Sequence, residues 1–205
     1  MAYIGFFPTS NGFTAINFRQ TNTTKKTESA SGRIIRATNG TTKWKATLQF
    51  PPISYEEFLP VQAFVGRCQG PLNEFDIIMP ELSTHNPHPG QQTYVSADAS
   101  AGSSSVSITS DQVDKSNLLL AGDLIRFPNH TKVYMVTETV TTDGSGNGTI
   151  YITPNLIQNV GFDSAGDTIT VNNVPFRMIL TNDIQEFGYR NDGYVSYEID
   201  IEEAI

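Results

Sequence analysis

KWKATLQFPPISYEEFLPVQAFVGRCQGPLNEFDIIMP, residues Lys43 to Pro80, reads as strand, proline break, short helix, glycine turn and strand. Trp44, Ala46, Leu48 and Phe50 alternate with polar residues, which gives a strand with one apolar face. Pro51-Pro52 stops it, because proline cannot donate to a β-ladder. Ser54 and Glu57 have the spacing of a capping box, and Phe58, Val61, Phe64, Val65 and Cys68 then share one helical face. The pattern predicts a helix near 54–68. An interior proline interrupts a helix, so Pro60 predicts a first turn from Ser54 and a main segment restarting near Pro60. Gly70-Pro71 ends the helix, and Phe75, Ile77 and Met79 form the next strand. The core expected from this unit is Trp44, Leu48, Phe50, Phe58, Val61, Phe64, Val65, Phe75 and Ile77. None of these residues carries reactive chemistry, so the unit reads as a scaffold.

The 205 residues suffice for one good core, or for one core and a smaller inserted module. The formal net charge of −8 argues against specific nucleic-acid binding through phosphate contacts and against an anionic membrane surface. No run approaches the roughly 18 apolar residues needed to span a bilayer. The start, MAYIGFFPTS, lacks the cationic and continuous apolar regions of a secretory signal, which predicts folding inside the cell. The one cysteine, Cys68, lies on the apolar helix face and reads as a buried structural thiol.

Outward from the opening unit, residues 1–32 read as an aromatic and Thr-rich arm or loop. Asn39-Gly40 favours a tight turn, predicting a hairpin between strands 33–38 and 43–50. From Glu81 to Ser105 the chain is rich in Pro, Gly and Ser, the composition of a linker. Short strands are then expected at 105–110, 123–127, 132–142, 148–153, 167–174 and 176–180, with a turn at 163–166, a pattern of small barrels or sandwiches. Val195, Tyr197, Ile199 and Ile201 alternate with Ser196, Glu198, Asp200 and Glu202, predicting a half-buried strand that pairs back into the N-terminal sheet. The expected fold is mainly β with one short helix: a barrel or sandwich domain of residues 1–90 plus 176–205, interrupted by a small β-barrel at 91–175.

The polar constellations favour no catalysis, no cofactor and no metal. Asp143 to Gly148 imitates the start of a calcium loop, but Pro154 stands where the bidentate Glu is required, so a turn is expected. His85, His88 and His130 read as solvated loop histidines without a completing ligand set. Glu198, Asp200, Glu202 and Glu203 read as a solvated strand face rather than an acid pair. Phe6, Phe7, Phe13 and Tyr194 are the expected subunit contacts. The alternative reading is a carbohydrate-binding module of a tail or cell-surface assembly, with Tyr134 and Tyr151 as stacking anchors. A cell-wall hydrolase is the least favoured class.

WKATLQFPP (44–52), YEEFLPVQAF (55–64) and Phe75-Asp76-Ile77 resemble the first domain of bacteriophage tail-tip proteins, the distal tail proteins and related baseplate-hub components. Within it, Glu57, Phe58, Pro60, Val61, Ala63 and Phe64 resemble the family's helix core. Ala121-Gly122-Asp123-Leu124-Ile125, Tyr134 to Thr137, and Pro154-Asn155-Leu156 resemble a module common in phage tail proteins. The resemblance implies a tail-tube-like domain and a structural protein of the virion tail, assembled in the host cytoplasm. It also implies a homo-oligomeric ring, hexamer or trimer. Its partners would be the tail tube protein and other baseplate or tail-tip proteins, around a lumen for DNA passage.

Overall fold

Trp44, Ala46 and Leu48 lie buried along a 16-residue strand one place in from the edge of the protein's larger sheet. The computed structural model describes residues 1–80, 82–84, 88, 90–162 and 168–205, with the backbone alone at 39–41. The elements run β1 (Tyr3–Phe6), β2 (Ala15–Glu28), β3 (Ile34–Gln49), β4 (Ile53–Ser54), α1 (Tyr55–Cys68) and β5 (Glu74–Ile77). After them come β6 (Thr93–Val95), β7 (Ser105–Ser110), β8 (Leu124–Ile125), β9 (Tyr134–Val136) and β10 (Asn147–Thr153). The last four are β11 (Phe176–Leu180), β12 (Gly188–Tyr189), β13 (Tyr194–Ser196) and β14 (Glu198–Glu203). The fold is mainly β, as expected, with one α-helix among the described residues.

The larger sheet has the order β1-β5-β11-β14-β3-β2, with β1 and β5 parallel and the other pairs antiparallel. The C-terminal strand returns to the N-terminal sheet: Ile199 pairs with Leu48 and Ile201 with Ala46. It is broken at the buried Tyr197, and its first part, β13, forms a small sheet with β12 and β4.

Helix α1 covers the core face of the larger sheet. Its capping box is formed: Glu57 N–H donates to Ser54 Oγ (3.4 Å) and Ser54 N–H to Glu57 Oε2 (3.3 Å). Phe58, Val61, Phe64, Val65 and Cys68 are its buried residues. The Phe58 ring meets Phe187 and Tyr197 edge-on at 5.5 and 5.4 Å, and Phe64 meets Phe75 likewise at 5.7 Å. The helix runs through Pro60 without the expected restart. Proline removes one N–H and crowds the carbonyl four residues back, but Pro60 and Glu56 lie on the exposed side. There water can take the freed carbonyl, and the capping box holds the first turn.

The hairpin expected at Asn39-Gly40 is not a turn. β3 passes through these residues, and the connection to β2 is made at Ser29–Arg33, where Gly32 (φ +76°) donates to Ser29. Residues 15–28, read from the sequence as arm or loop, are therefore a strand paired with β3 almost throughout. Asn22 pairs with Thr42 and Thr24 with Thr38, so three residues of β3, Asn39 to Thr41, oppose one of β2. The Asn-Gly signal is absorbed by this bulge, because a ladder of cross-strand bonds outweighs one favourable turn dipeptide.

The central segment forms a second sheet, β6-β7-β10-β9-β8. Residues 168–170 join its two ends: Ile169 N–H donates to Thr93 O (2.7 Å), while Thr170 exchanges hydrogen bonds with Arg126 (2.9 Å each). The sheet thereby curls toward closure around Ile108, Phe127, Tyr134, Val136 and Ile150. β6 lies in the stretch read as a linker, and the strand expected at 132–142 is shortened to β9. The strand expected at 167–174 is reduced to bridges at Thr168 and Thr170. The turn expected at 163–166 lies outside the described residues.

Candidate assembly interface

The two sheets meet across a polar junction that the sequence did not reveal. Glu203 follows Val195, Tyr197, Ile199 and Ile201 in the inward alternation of the last strands and is fully buried. This corrects its reading as part of a solvated face. Its carboxylate accepts from the Lys132 ammonium, from Trp44 N–H (3.2 Å) and from Val133 N–H (3.1 Å). Lys132 donates also to Thr42 O (2.7 Å), and Trp44 Nε1 to Val133 O (2.8 Å). Burial pushes the Glu203 carboxyl up and the Lys132 ammonium down, while their mutual attraction opposes both shifts. A second link is centred on Asp76, which accepts from Arg177 Nε (2.7 Å) and Tyr3 Oη (3.1 Å) and lies 3.8 Å from Arg126 Nη1. The Arg177 guanidinium lies over the Tyr3 ring at 4.1 Å.

His130 is likewise not a solvated loop residue. It is 3% exposed, packs edge-on against Phe127, and its Nδ1 lies 2.7 Å from Tyr134 Oη. Its Nε2 lies 3.4 Å from Asn159 O, which can only accept. Nε2 therefore carries the proton, and Nδ1 accepts from Tyr134, whose oxygen also receives Ile157 N–H (3.2 Å). Burial holds the His130 pKa below its usual value.

The nine residues expected in the core lie together in one buried cluster. Of the expected contact residues, Phe6 and Tyr194 are exposed and Phe13 is half-buried against Phe50 (5.1 Å). Phe7 is 4% exposed and belongs to the core, between Phe64 and Phe75. Tyr55 and Tyr189 form a further exposed pair at 5.9 Å beside the helix start. Tyr134 is buried and offers no stacking face, whereas Tyr151 is exposed.

Asp143 Oδ1 accepts from Ser145 and Asn147 N–H (2.8 Å each), so the loop that imitates a calcium site is a turn closed on itself. These bonds hold the Asp143 carboxyl below its usual range. Cys68 is buried, its thiol pushed up to about 11 by burial. His88 Nε2 lies 3.5 Å from Asn117 Oδ1, and His85 lies outside the described residues. Among the described residues no group of three or more His, Cys, Asp or Glu side chains could hold a metal ion. No helix among the described residues is long and apolar enough to cross a membrane.

Residues 87–174, the segment that builds the second sheet, match the family described as distal tail protein pb9, B domain. The chain carries a phage distal tail protein domain. The resemblance to phage tail-tip proteins is thus borne out, and the role is that of a structural component of the virion tail. The match covers the distal tail protein domain alone; the larger sheet lies outside it. A search of curated proteins finds no match.

Proposed function

We propose that the protein is a ring-forming component of the tail tip or baseplate hub that connects the tail tube to the tip, lines the DNA passage and catalyses no reaction. The observation that carries this reading is the larger sheet, whose outer strands β1 and β2 each have, among the described residues, a strand partner on one side only. Open edges are a template for pairing with another chain. Copies joined edge to edge close a barrel when the rotation between them closes. Residues 1–90 plus 176–205 act as the ring-building domain, and 91–175 as a module mounted on it through the Lys132–Glu203 and Asp76 links. The partners are further copies, in a hexamer or trimer, the tail tube protein and other tip proteins, with assembly in the host cytoplasm. An acidic lumen repels DNA and keeps it from sticking.

Negative-stain imaging of the purified protein is expected to show discrete rings, and mass spectrometry to find the chain in purified virions. A monodisperse monomer absent from virions would overturn the reading.

A further inference from the structure

Beyond Lys43, β2 and β3 have only each other as strand partners among the described residues, and the last tie to the body is the Lys132 bond to Thr42 O. At 3.3–3.4 Å per residue they project roughly 30 Å past the sheet. Their described side chains from Gln20 to Glu28 and from Arg33 to Thr38 are exposed on both faces. An isolated two-stranded ribbon is marginal in water, and this one carries two features that make it worse alone. Lys26 stands directly opposite Arg36, a like-charge cross-strand pair, and neither forms an ion pair with a described residue. Ile34 and Ile35, adjacent in β3 and so on opposite faces, are 49% and 57% exposed beside the turn.

The ribbon's charge is opposite to that of the body. Residues 19–43 hold Arg19, Lys25, Lys26, Arg33, Arg36 and Lys43 against Glu28 alone. The rest of the chain holds seven basic residues against twenty acidic ones. One place on the body matches the tip in both charge and apolar character. Asp183, Glu186, Glu198 and Asp200 line an open groove with Ile184, which is 78% exposed. None of these four carboxylates is ion-paired with a described cation. The groove lies at the far end of β3, where Gln49 pairs with Glu198. That is roughly 50 Å from the Ser29–Arg33 turn, so a ribbon cannot reach the groove of its own chain.

We propose that the ribbon tip docks in the acidic groove of a second copy of the chain. Lys25, Lys26, Arg33 and Arg36 meet the four carboxylates, and Ile34 and Ile35 pack around Ile184. The contact is heterologous, since two different surfaces of identical chains meet, and it rests on the oligomeric reading above. Docking neutralises the Lys26–Arg36 repulsion and covers the exposed isoleucines.

Sedimentation velocity of the full chain tests this. One variant carries Lys26→Glu with Arg36→Glu, the other Glu186→Lys with Glu198→Lys, and circular dichroism checks that both are folded. Each alone is expected to weaken self-association at least about tenfold, since it sets like charges against each other across the interface. An equimolar mixture is expected to recover association, a rescue that unfolded variants cannot give. Wild-type association is expected to weaken between ~0.05 M and ~0.5 M salt. Association unchanged by the ribbon variant overturns the docking contact and leaves the ring reading standing. Loss without rescue overturns the groove as the receiving surface. A wild-type chain that stays monomeric removes the ring reading and this contact with it. If the ribbon variant loses binding to a short DNA duplex yet still self-associates, the partner is nucleic acid and the proposal fails.

Discussion

Lys132 of the central module and Glu203 of the last strand form an ion pair in which neither side chain is exposed. The two residues are 71 positions apart in sequence, and among the described residues no charged pair between the two sheets is more deeply enclosed. A buried pair of this kind gains less from Coulomb attraction than its geometry suggests, because both ions lose their hydration. What it does supply is register. The Glu203 carboxylate receives two backbone N–H groups as well as the ammonium, so only one seating of the module satisfies all three donors.

Lys132→Met is expected to cost about 3–5 kcal/mol, because it leaves the Glu203 charge buried without its partner. The double variant Lys132→Met with Glu203→Gln is expected to recover part of that loss. The amide is neutral and keeps one acceptor oxygen for Val133. Denaturant unfolding of the three proteins checks this, and a double variant less stable than the single one would argue against the pair.

Acid is expected to destabilise the fold through His130. Its folded pKa is held below the unfolded value near 6.5 by burial. Between those two values the unfolded chain binds a proton that the folded chain refuses. Stability is therefore lost as pH falls below about 6.5, at most about 1.4 kcal/mol per pH unit. The groups facing the ring are Tyr134 Oη, Asn159 O and the Phe127 ring, none of which carries a compensating negative charge. His130→Gln is expected to be less stable at pH 8 but flatter between pH ~5 and ~7.

Gly146 has φ +80°, and a Cβ there would overlap the Ser110 carbonyl. Gly146→Ala is expected to cost about 1–3 kcal/mol through strain and displacement of that oxygen. Gly122 has φ +102° with nothing within 4 Å of the same atom, so Gly122→Ala isolates the backbone part. Thermal unfolding of the pair should rank Gly146→Ala as clearly the worse.

Phe58→Ala is expected to cost about 3–5 kcal/mol. The ring is fully buried, with edge-on neighbours in Phe187 and Tyr197. A loss under ~1 kcal/mol, read from denaturant midpoints, would mean that α1 is not clamped to the sheet.

The strand–helix–strand unit was legible because three local signals agreed. Alternation buried Trp44, Ala46 and Leu48, the Ser54–Glu57 spacing capped the helix, and the 3.6-residue stripe chose its inner face. Glu203 was within reach of the same reasoning. Counting by twos from Val195 puts it inside, but its charge argued for solvent, and only its distant partner Lys132 reverses that. The β2–β3 ribbon could not be read by periodicity, since strands exposed on both faces leave no alternation. His130 was misplaced because Pro128-Asn129 marks a turn without saying what folds over it.

The order of the larger sheet has a consequence for how the chain is made. β14 is the last described strand, yet it lies between β11 and β3, joining the two halves of the sheet. A ribosome delivers the strands of the second sheet as one contiguous run, whereas β3 waits through some 150 residues for its neighbour. The module can therefore mature on an unfinished host. A chain stalled before Glu198 would hold β3 and β11 with raw edges on the inside of its own sheet, prone to pairing with the wrong molecule. Pulse-labelled hydrogen exchange during refolding should then protect β7 and β10 before β11. Only a chain completed to β14 has its larger sheet closed between β11 and β3.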